Sequence, residues 1–149
     1  MLAHFVFRLQ RLLDLREQSV KECQKRLAVA MGAVLDAQAE LHCFQVERQE
    51  LQASWQTAIA VGMRPETAVT YQRCFGNLDH ECQRASTKIA ATQKEELACR
   101  ALLDKALRQQ KVLEKLRERT KARFVLETNR REQAQLDEFA VLRQAQETR

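Results

Sequence analysis

The side chains in this sequence that could bind a metal ion are scattered along the chain. One pair of zinc-binding types, His80 and Cys82, lies two residues apart. On a helix two such residues point about 200° away from each other, so they cannot hold one zinc ion. A zinc site would need ligands from two separate helices, and the sequence predicts no cofactor.

Motifs of known enzymes are also absent from the sequence. It contains no glycine-rich phosphate loop, no GxSxG and no HExxH. Carboxylates are abundant, but they lie within a helical turn of basic residues, as Glu114 does with Lys111, which is typical of a solvated helix surface. A thin helical pair offers no pocket that could desolvate an acid or a base. The sequence therefore predicts that the protein is not an enzyme.

The secondary structure that positions these side chains is predicted from apolar residues that recur at alternating spacings of three and four residues. Arg16 and Arg48 interrupt this series, whose members are Leu2, Val6, Leu9, Leu13, Val20, Cys23, Leu27, Ala30, Val34, Ala37, Leu41, Phe44, Leu51, Trp55 and Ala58. A mean spacing of 3.5 residues keeps one face of a helix against a partner helix. With 3 glycines and 1 proline in 149 residues, breakers are too few for a multi-stranded fold. The pattern predicts an all-α protein whose first helix is about 80 Å long.

One segment carries both a glycine and the only proline, and it predicts the turn of a helical hairpin. Gly62 suits a left-handed residue after a helix, and Pro65 suits the first turn of the next. We expect a long antiparallel two-helix coiled-coil hairpin. Gly76 predicts a kink, or a short helix separated from the longer one. The predicted organisation is one coiled-coil domain over residues 1–149, with helix 1 at about 3–60, the hinge at 61–66 and helix 2 at about 67–147.

The second helix repeats the spacing and extends past the first. We call the line of residues along which the two helices face each other the seam. The residues of the second helix predicted to lie on it are Tyr71, Phe75, Leu78, Cys82, Ala85, Ile89, Cys99, Leu103, Ala106, Leu113, Leu116, Thr120 and Phe124. If Ala58 lies opposite Tyr71, equal rise along both helices places Leu2 near Thr128. The C-terminal residues, about 129–149, would then overhang the partner helix while still carrying Leu136 and Phe139. Such residues are either frayed or reserved for a partner.

The net charge of +5 is concentrated in one segment. Residues 105–131 contain ten basic and three acidic residues, which gives +7. This segment is either a solvated helix face or a belt for an acidic protein ring, an anionic membrane surface or nucleic acid. Phe124 is its only aromatic residue, which disfavours nucleic-acid binding by base stacking. A basic nucleic-acid-binding rod is the third-ranked hypothesis, and the prediction is no nucleic acid.

Cysteine usage and hydropathy predict a bacterial or organellar cytosol. The 5 cysteines are odd in number and form no CxxC, which indicates reduced, structural thiols. No continuous apolar run approaches the ~18 residues needed to span a membrane. The start of the chain does not have the layout of a secretory signal.

Three stretches, residues 7–16, 71–79 and 129–140, resemble the FliJ family of flagellar export proteins. The first is a Phe/Leu-rich turn closed by a charged pair, and the second holds a Tyr-Gln followed by a Leu-acid pair. The third carries Asn-Arg, Gln and Leu-Asp-Glu-Phe-Ala, similar to the family in spacing as well as type. Cys74 departs from the family pattern, which has an aromatic residue there.

The resemblance implies a non-enzymatic stalk and adaptor of the flagellar type III export apparatus. Such a stalk enters the hexameric export ATPase and links it to the cytoplasmic domain of the export gate and to export chaperones. It would be cytoplasmic, at the inner face of the inner membrane, with peripheral membrane contact at most. Residues expected to bind the ATPase ring are Arg117, Lys121, Arg123, Arg130, Arg131, Leu136 and Phe139. Residues expected to bind the gate and chaperones are Phe44, Leu51, Tyr71, Cys74 and Leu78.

Two alternatives stay open. One is the stalk of a virulence-type secretion system, and the other is a generic structural coiled-coil scaffold. Plain seam packing is the competing interpretation of Phe44, Leu51 and Leu78, whereas Tyr71 and Cys74 are expected to be exposed.

Overall fold

Two long helices make up nearly all of the part of the chain that the structure describes. The computed structural model describes residues 4–148, in which α1 is Gln10–Val61 and α2 is Pro65–Glu147, with no strand. The two helices pack against each other. This confirms the predicted all-α helical hairpin.

The connection between the helices forms as the glycine and the proline predicted. Gly62 has a φ of 101°, and its N–H lies 3.2 Å from the carbonyl oxygens of both Ala58 and Ile59. Pro65 is the first residue of α2, where a missing N–H costs no helical hydrogen bond. α2 continues through Gly76, so no separate short helix forms near the hinge. One glycine costs a helix only about 1 kcal/mol, which packing along the seam outweighs.

By their internal contacts the residues fall into two compact units, and both helices run through both. We call Glu22–Asp104 the hinge unit. We call Met1–Lys21 together with Lys105–Arg149 the terminal unit, of which residues 4–21 and 105–148 are described. The single coiled-coil domain over residues 1–149 stays a prediction.

In the hinge unit the seam follows the sequence pattern. Every apolar member of the predicted series from Cys23 to Ala58 is buried or half-buried. Ala37 is fully buried, and Ala30 and Ala85 are nearly so. Small side chains at the centre of this seam let the two helices approach closely, and dispersion contacts along their length stabilise the pair.

In the terminal unit the seam ends in a small apolar cluster instead of a longer helix. Leu13, only 1% exposed, packs with Phe7 and Leu113, and Phe5 packs against them. α1 begins at Gln10, later than the predicted start at Ala3, which lies outside the described residues together with Leu2. Residues 4–9 are not helical, so the 3.5-residue spacing does not apply to them. Phe7 is therefore buried, while Val6 and Leu9, both predicted on the seam, are exposed.

The apolar character of α1 extends beyond its seam. One 18-residue stretch within it is long and apolar enough, by length and composition, to cross a membrane, although only 17% of that stretch is buried. The expectation from continuous apolar runs missed this, because Ala, Gly and uncharged polar residues connect shorter runs. One such helix is weak evidence for a membrane span, because helices of soluble proteins pass the same test.

Candidate partner-binding surfaces

The two arginines that interrupt the apolar series lie on the seam and have partners on the other helix. In the terminal unit, the Arg16 Nη1 donates to Gln109 Oε1 at 2.8 Å. In the hinge unit, the Arg48 Nε donates to Asp79 Oδ1 at 2.6 Å. Polar pairs at seam positions fix the register of a coiled coil, because any shift separates them.

An aromatic cluster fills the hinge unit near the turn. The Trp55 ring centroid lies 5.4 Å from that of Tyr71 and 6.3 Å from that of Phe75, both edge-on. The Tyr71 hydroxyl shares a 2.7 Å hydrogen bond with Ser54 Oγ. The Arg48 guanidinium lies 5.8 Å from the Phe75 ring centroid. These contacts hold Tyr71 half-buried, so the expectation that it is exposed is wrong.

Four of the five residues predicted to bind the gate and chaperones are seam residues. Phe44, Leu51, Tyr71 and Leu78 are half-buried at seam positions of the two helices, and Cys74 alone is exposed. The structure therefore brings the first four to one seam of the hinge unit. A partner can reach their outer edges, and Cys74 beside them, without separating the helices.

The basic residues predicted to bind the ATPase ring share one property, which is free exposure on α2. Arg117, Lys121, Arg123, Arg130 and Arg131 are all exposed. No residue of the 105–131 segment forms an ion pair within the described part of the chain. Their positive charge is therefore not neutralised by carboxylates of the protein itself.

The start of α1 explains why this part of α2 is bare. Arg16 lies opposite Gln109, so in an antiparallel pair Gln10 lies opposite about Lys115. Beyond that point no helix among residues 4–148 lies opposite α2, and Leu116 and Thr120, predicted on the seam, are exposed. Phe124 is half-buried because the Phe5 ring covers it at 5.6 Å. The apolar spacing gave no signal of this change, because Val6 and Leu9 continue the pattern without being helical.

The C-terminal part of α2 presents apolar side chains to solvent. Every described residue after Thr128, from 129 to 148, is exposed. Leu136 and Phe139 are 62% and 69% exposed. They line a shallow groove of ≈ 580 Å³ whose lining consists of Leu136, Phe139, Ala140, Leu142, Arg143 and Gln146. Val141, which the prediction did not name, is equally exposed. Its apolar side chain in the overhang could have indicated that it belongs to the same surface.

Potential metal ligands stay dispersed in the fold. Among residues 4–148 no three His, Cys, Asp or Glu side chains come together in a way that could hold a metal ion. His80 is exposed while Cys82 is half-buried, as expected for side chains two residues apart on one helix.

Comparison with known proteins gives a match over nearly the whole chain. A family model described as the flagellar FliJ protein matches residues 5–149. No curated protein and no solved structure matches the chain.

Proposed function

From the premise that the chain belongs to the FliJ family, we propose that it is the non-enzymatic stalk and adaptor of the flagellar type III export apparatus. Membership makes it a component of flagellar protein export. The proposal adds that its terminal unit enters the ring of the hexameric export ATPase. It also adds that its hinge unit binds the cytoplasmic domain of the export gate and export chaperones.

The bare C-terminal part of α2 is the observation that carries the ATPase contact. It joins an unneutralised basic segment, which includes Arg117 and Lys121, to the exposed apolar residues Leu136 and Phe139. Positive charge attracts and orients an acidic ring lumen, and desolvated aromatic and aliphatic side chains contribute most of the affinity. A single helix, about 10–12 Å wide, is also narrow enough to enter a ring.

The mechanism we propose is differential binding rather than chemistry on this chain. A shaft that contacts one conformation of an ATPase subunit better than another shifts the equilibrium between them. Such a shift stimulates hydrolysis only if the contact differs between nucleotide states. Leu136 and Phe139 would make the contact with the ATPase, and the basic residues would attract and orient the chain in the ring.

For the gate and chaperones, the proposal uses the hinge-unit seam. Phe44, Leu51, Tyr71 and Leu78 expose only their outer edges, and Cys74 is accessible beside them. A partner helix lying along this edge would contact all of them without opening the pair. The protein would then work in the cytoplasm at the inner membrane, held there by the gate and with peripheral membrane contact at most.

The test is ATP hydrolysis by the cognate export ATPase, measured with ring assembly, in the presence and absence of the full chain. We expect stimulation and hexamer formation, and loss of both with Phe139→Asp. The matched control is Leu97→Asp, because Leu97 is 67% exposed on the same helix but lies in the hinge unit.

Equal loss in both variants, with helicity unchanged, would contradict a contact at the C-terminal part of α2. If a well-folded chain does not bind the export ATPase at all, the stalk proposal is wrong and a generic structural scaffold becomes the favoured function. Stimulation of a virulence-type ATPase together with no effect on the flagellar one would favour the virulence-type stalk.

A further inference from the structure

α1 carries a second apolar face that points away from α2. We call it the back face, and its positions alternate in steps of four and three. It consists of Ala28, Gly32, Leu35, Ala39, His42 and Val46. Gly32 is half-exposed and the other five are exposed, with Leu35 at 66%. This face makes α1 apolar on two sides, although α2 covers only one.

Few charges interrupt the back face. Between Leu27 and Val46 the only charged residues are Asp36 and Glu40. Glu40 accepts a 2.7 Å hydrogen bond from Lys88 Nζ and so belongs to the contact with α2. An extended helix surface with so little charge is typical of a surface that another protein covers.

Gly32 has no explanation within the chain. It lies in the middle of α1, its φ is not positive, and an added Cβ would meet nothing within 4 Å. Alanine is the better helix former at such a position. The absence of a side chain therefore makes room for a group from outside the chain.

The side-chain volumes of the back face are complementary to themselves in one orientation. In an antiparallel pair of α1 helices centred near Ala37, Leu35 faces Ala39 of the second copy, and His42 faces Gly32. Val46 faces Ala28 in the same way, so each large residue meets a small one. A parallel pair would instead place Leu35 against Leu35 and leave a void between two copies of Gly32.

The flanking charges favour the same orientation. Lys25 and Arg26 precede the back face, and Glu47 and Glu50 follow it. None of the four forms an ion pair in the described residues. An antiparallel pair brings the basic end of one α1 beside the acidic end of the other, whereas a parallel pair brings like charges together.

We propose that the back face of α1 binds a second copy of this chain, antiparallel and centred near Ala37. This inference does not rest on the stalk function. The contact from residue 25 to residue 49 is about 36 Å long and about 10 Å wide on each copy, or roughly 700 Å² in total. Interfaces of that size are weak and reversible, so the dimer forms at micromolar concentrations or above.

The experiment is sedimentation of the full chain over a range of concentrations. We expect reversible dimers, and a dissociation constant raised at least ~10-fold by Leu35→Glu. Leu97→Glu is the matched control, since Leu97 is equally exposed on α2, and it should leave the constant unchanged. A chain that stays monomeric at millimolar concentration, or a control that weakens the dimer as much, overturns the proposal.

Two further variants separate the contact from helix stability and fix its direction. Gly32→Ala should raise the melting temperature of the monomer, because alanine favours helix and meets no atom in the chain, yet it should weaken the dimer. Lys25→Glu should weaken the dimer, and adding Glu50→Lys should restore it. A Gly32→Ala chain that dimerises more tightly, or a double variant weaker than Lys25→Glu, contradicts the antiparallel contact.

The same samples are sedimented with anionic phospholipid vesicles. We expect no more binding by the original chain than by Leu35→Glu. Vesicle binding that Leu35→Glu abolishes, in a chain that is monomeric without vesicles, would make the back face a membrane-binding surface and overturn the dimer.

Discussion

The hinge unit and the terminal unit use their charges in opposite ways. The hinge unit has nine basic and eleven acidic residues, a net −2, and it holds all four ion pairs found between residues 4 and 148. The terminal unit has sixteen basic and nine acidic residues, a net +7, and its described residues form no ion pair. Eight of the twenty charged residues of the hinge unit are in ion pairs, whereas the charged residues described in the terminal unit are in none.

Their apolar residues differ in a parallel way. In the hinge unit both helices face each other along the whole length, and a Trp55–Tyr71–Phe75 cluster supports the turn. In the terminal unit α1 covers α2 only as far as about Lys115, and a non-helical segment with Phe5 and Phe7 continues the contact to Phe124. The described residues of α2 from 129 onward are all exposed. The difference teaches that the seam stabilises the helical pair. In the function that we propose, binding depends on where the seam ends.

The largest effect on the difference between the two units is expected from disrupting the apolar cluster of Phe7, Leu13 and Leu113 in the terminal unit. Leu13→Ala deletes the most buried large side chain, and we expect a loss of about 3 kcal/mol in the stability of the terminal unit. Hydrogen exchange should accelerate in residues 10–21 and 105–115 and stay slow in the hinge unit. Leu15→Ala, at a 65% exposed position on the same helix, is the control and should change little. Uniform acceleration would show that the two units unfold together.

Neutralising the exposed charges sharpens the functional half of the comparison. Replacing Arg117, Lys121, Arg123, Arg130 and Arg131 by Gln should weaken binding to the export ATPase at least ~10-fold at low salt. The thermal unfolding midpoint should stay nearly constant, because none of these side chains forms an ion pair with another described residue. The control replaces Arg64, Arg73, Arg84, Lys94 and Arg100 of the hinge unit by Gln. If the control weakens binding equally, net charge rather than its location controls the interaction.

Two of the three glycines of the hinge unit, Gly62 and Gly76, should respond in opposite directions to substitution by alanine. Gly62→Ala forces a side chain into a φ of 101° and should cost about 1 kcal/mol. Gly76→Ala should stabilise by about 0.5–1 kcal/mol, since Gly76 is inside α2 and an added Cβ meets nothing within 4 Å. Chemical denaturation measures both. Destabilisation by Gly76→Ala would show that a group outside the chain approaches this backbone.

The seam arginines offer the smallest and most selective test. Arg48→Leu should change stability by about 0.5 kcal/mol or less, because the Arg48 and Asp79 side chains are 43% and 57% exposed. Part of that effect should disappear in high salt, which screens the pair. Arg16→Leu should show little salt dependence, since its partner Gln109 is neutral. Equal salt dependence in both would mean that Arg16 responds to charges other than its observed partner.

Much of the fold could be predicted because the spacing of apolar residues a few positions apart is enough to indicate a two-helix coiled coil. The series from Leu13 to Ala58, the left-handed Gly62 and the N-terminal Pro65 each follow from one residue type in one position. The spacing could not predict the start of α1, because Val6 and Leu9 satisfy the pattern without being helical. The exposed state of Leu116 depends on that start, and the prediction was wrong there for the same reason.

For the candidate site, too, some features could be predicted from the sequence and others could not. That the basic segment and Leu136 belong to a surface could be predicted from composition, and the family follows from motifs along the chain. The half-buried state of Tyr71 agrees with its predicted position on the seam and not with its predicted exposure. The partners of Arg16 and Arg48 could not be predicted. They depend on which residues the antiparallel register places opposite, and local sequence does not contain that information.

The sequence by itself determined two helices, their turn, and the uneven charge, since each depends on neighbours within a few residues. Only the tertiary structure decided where the seam ends, which charges are paired, and which of the two apolar faces of α1 is covered by α2. Those outcomes depend on contacts between residues far apart in the chain. Arg16 and Gln109, 93 positions apart, form one of them.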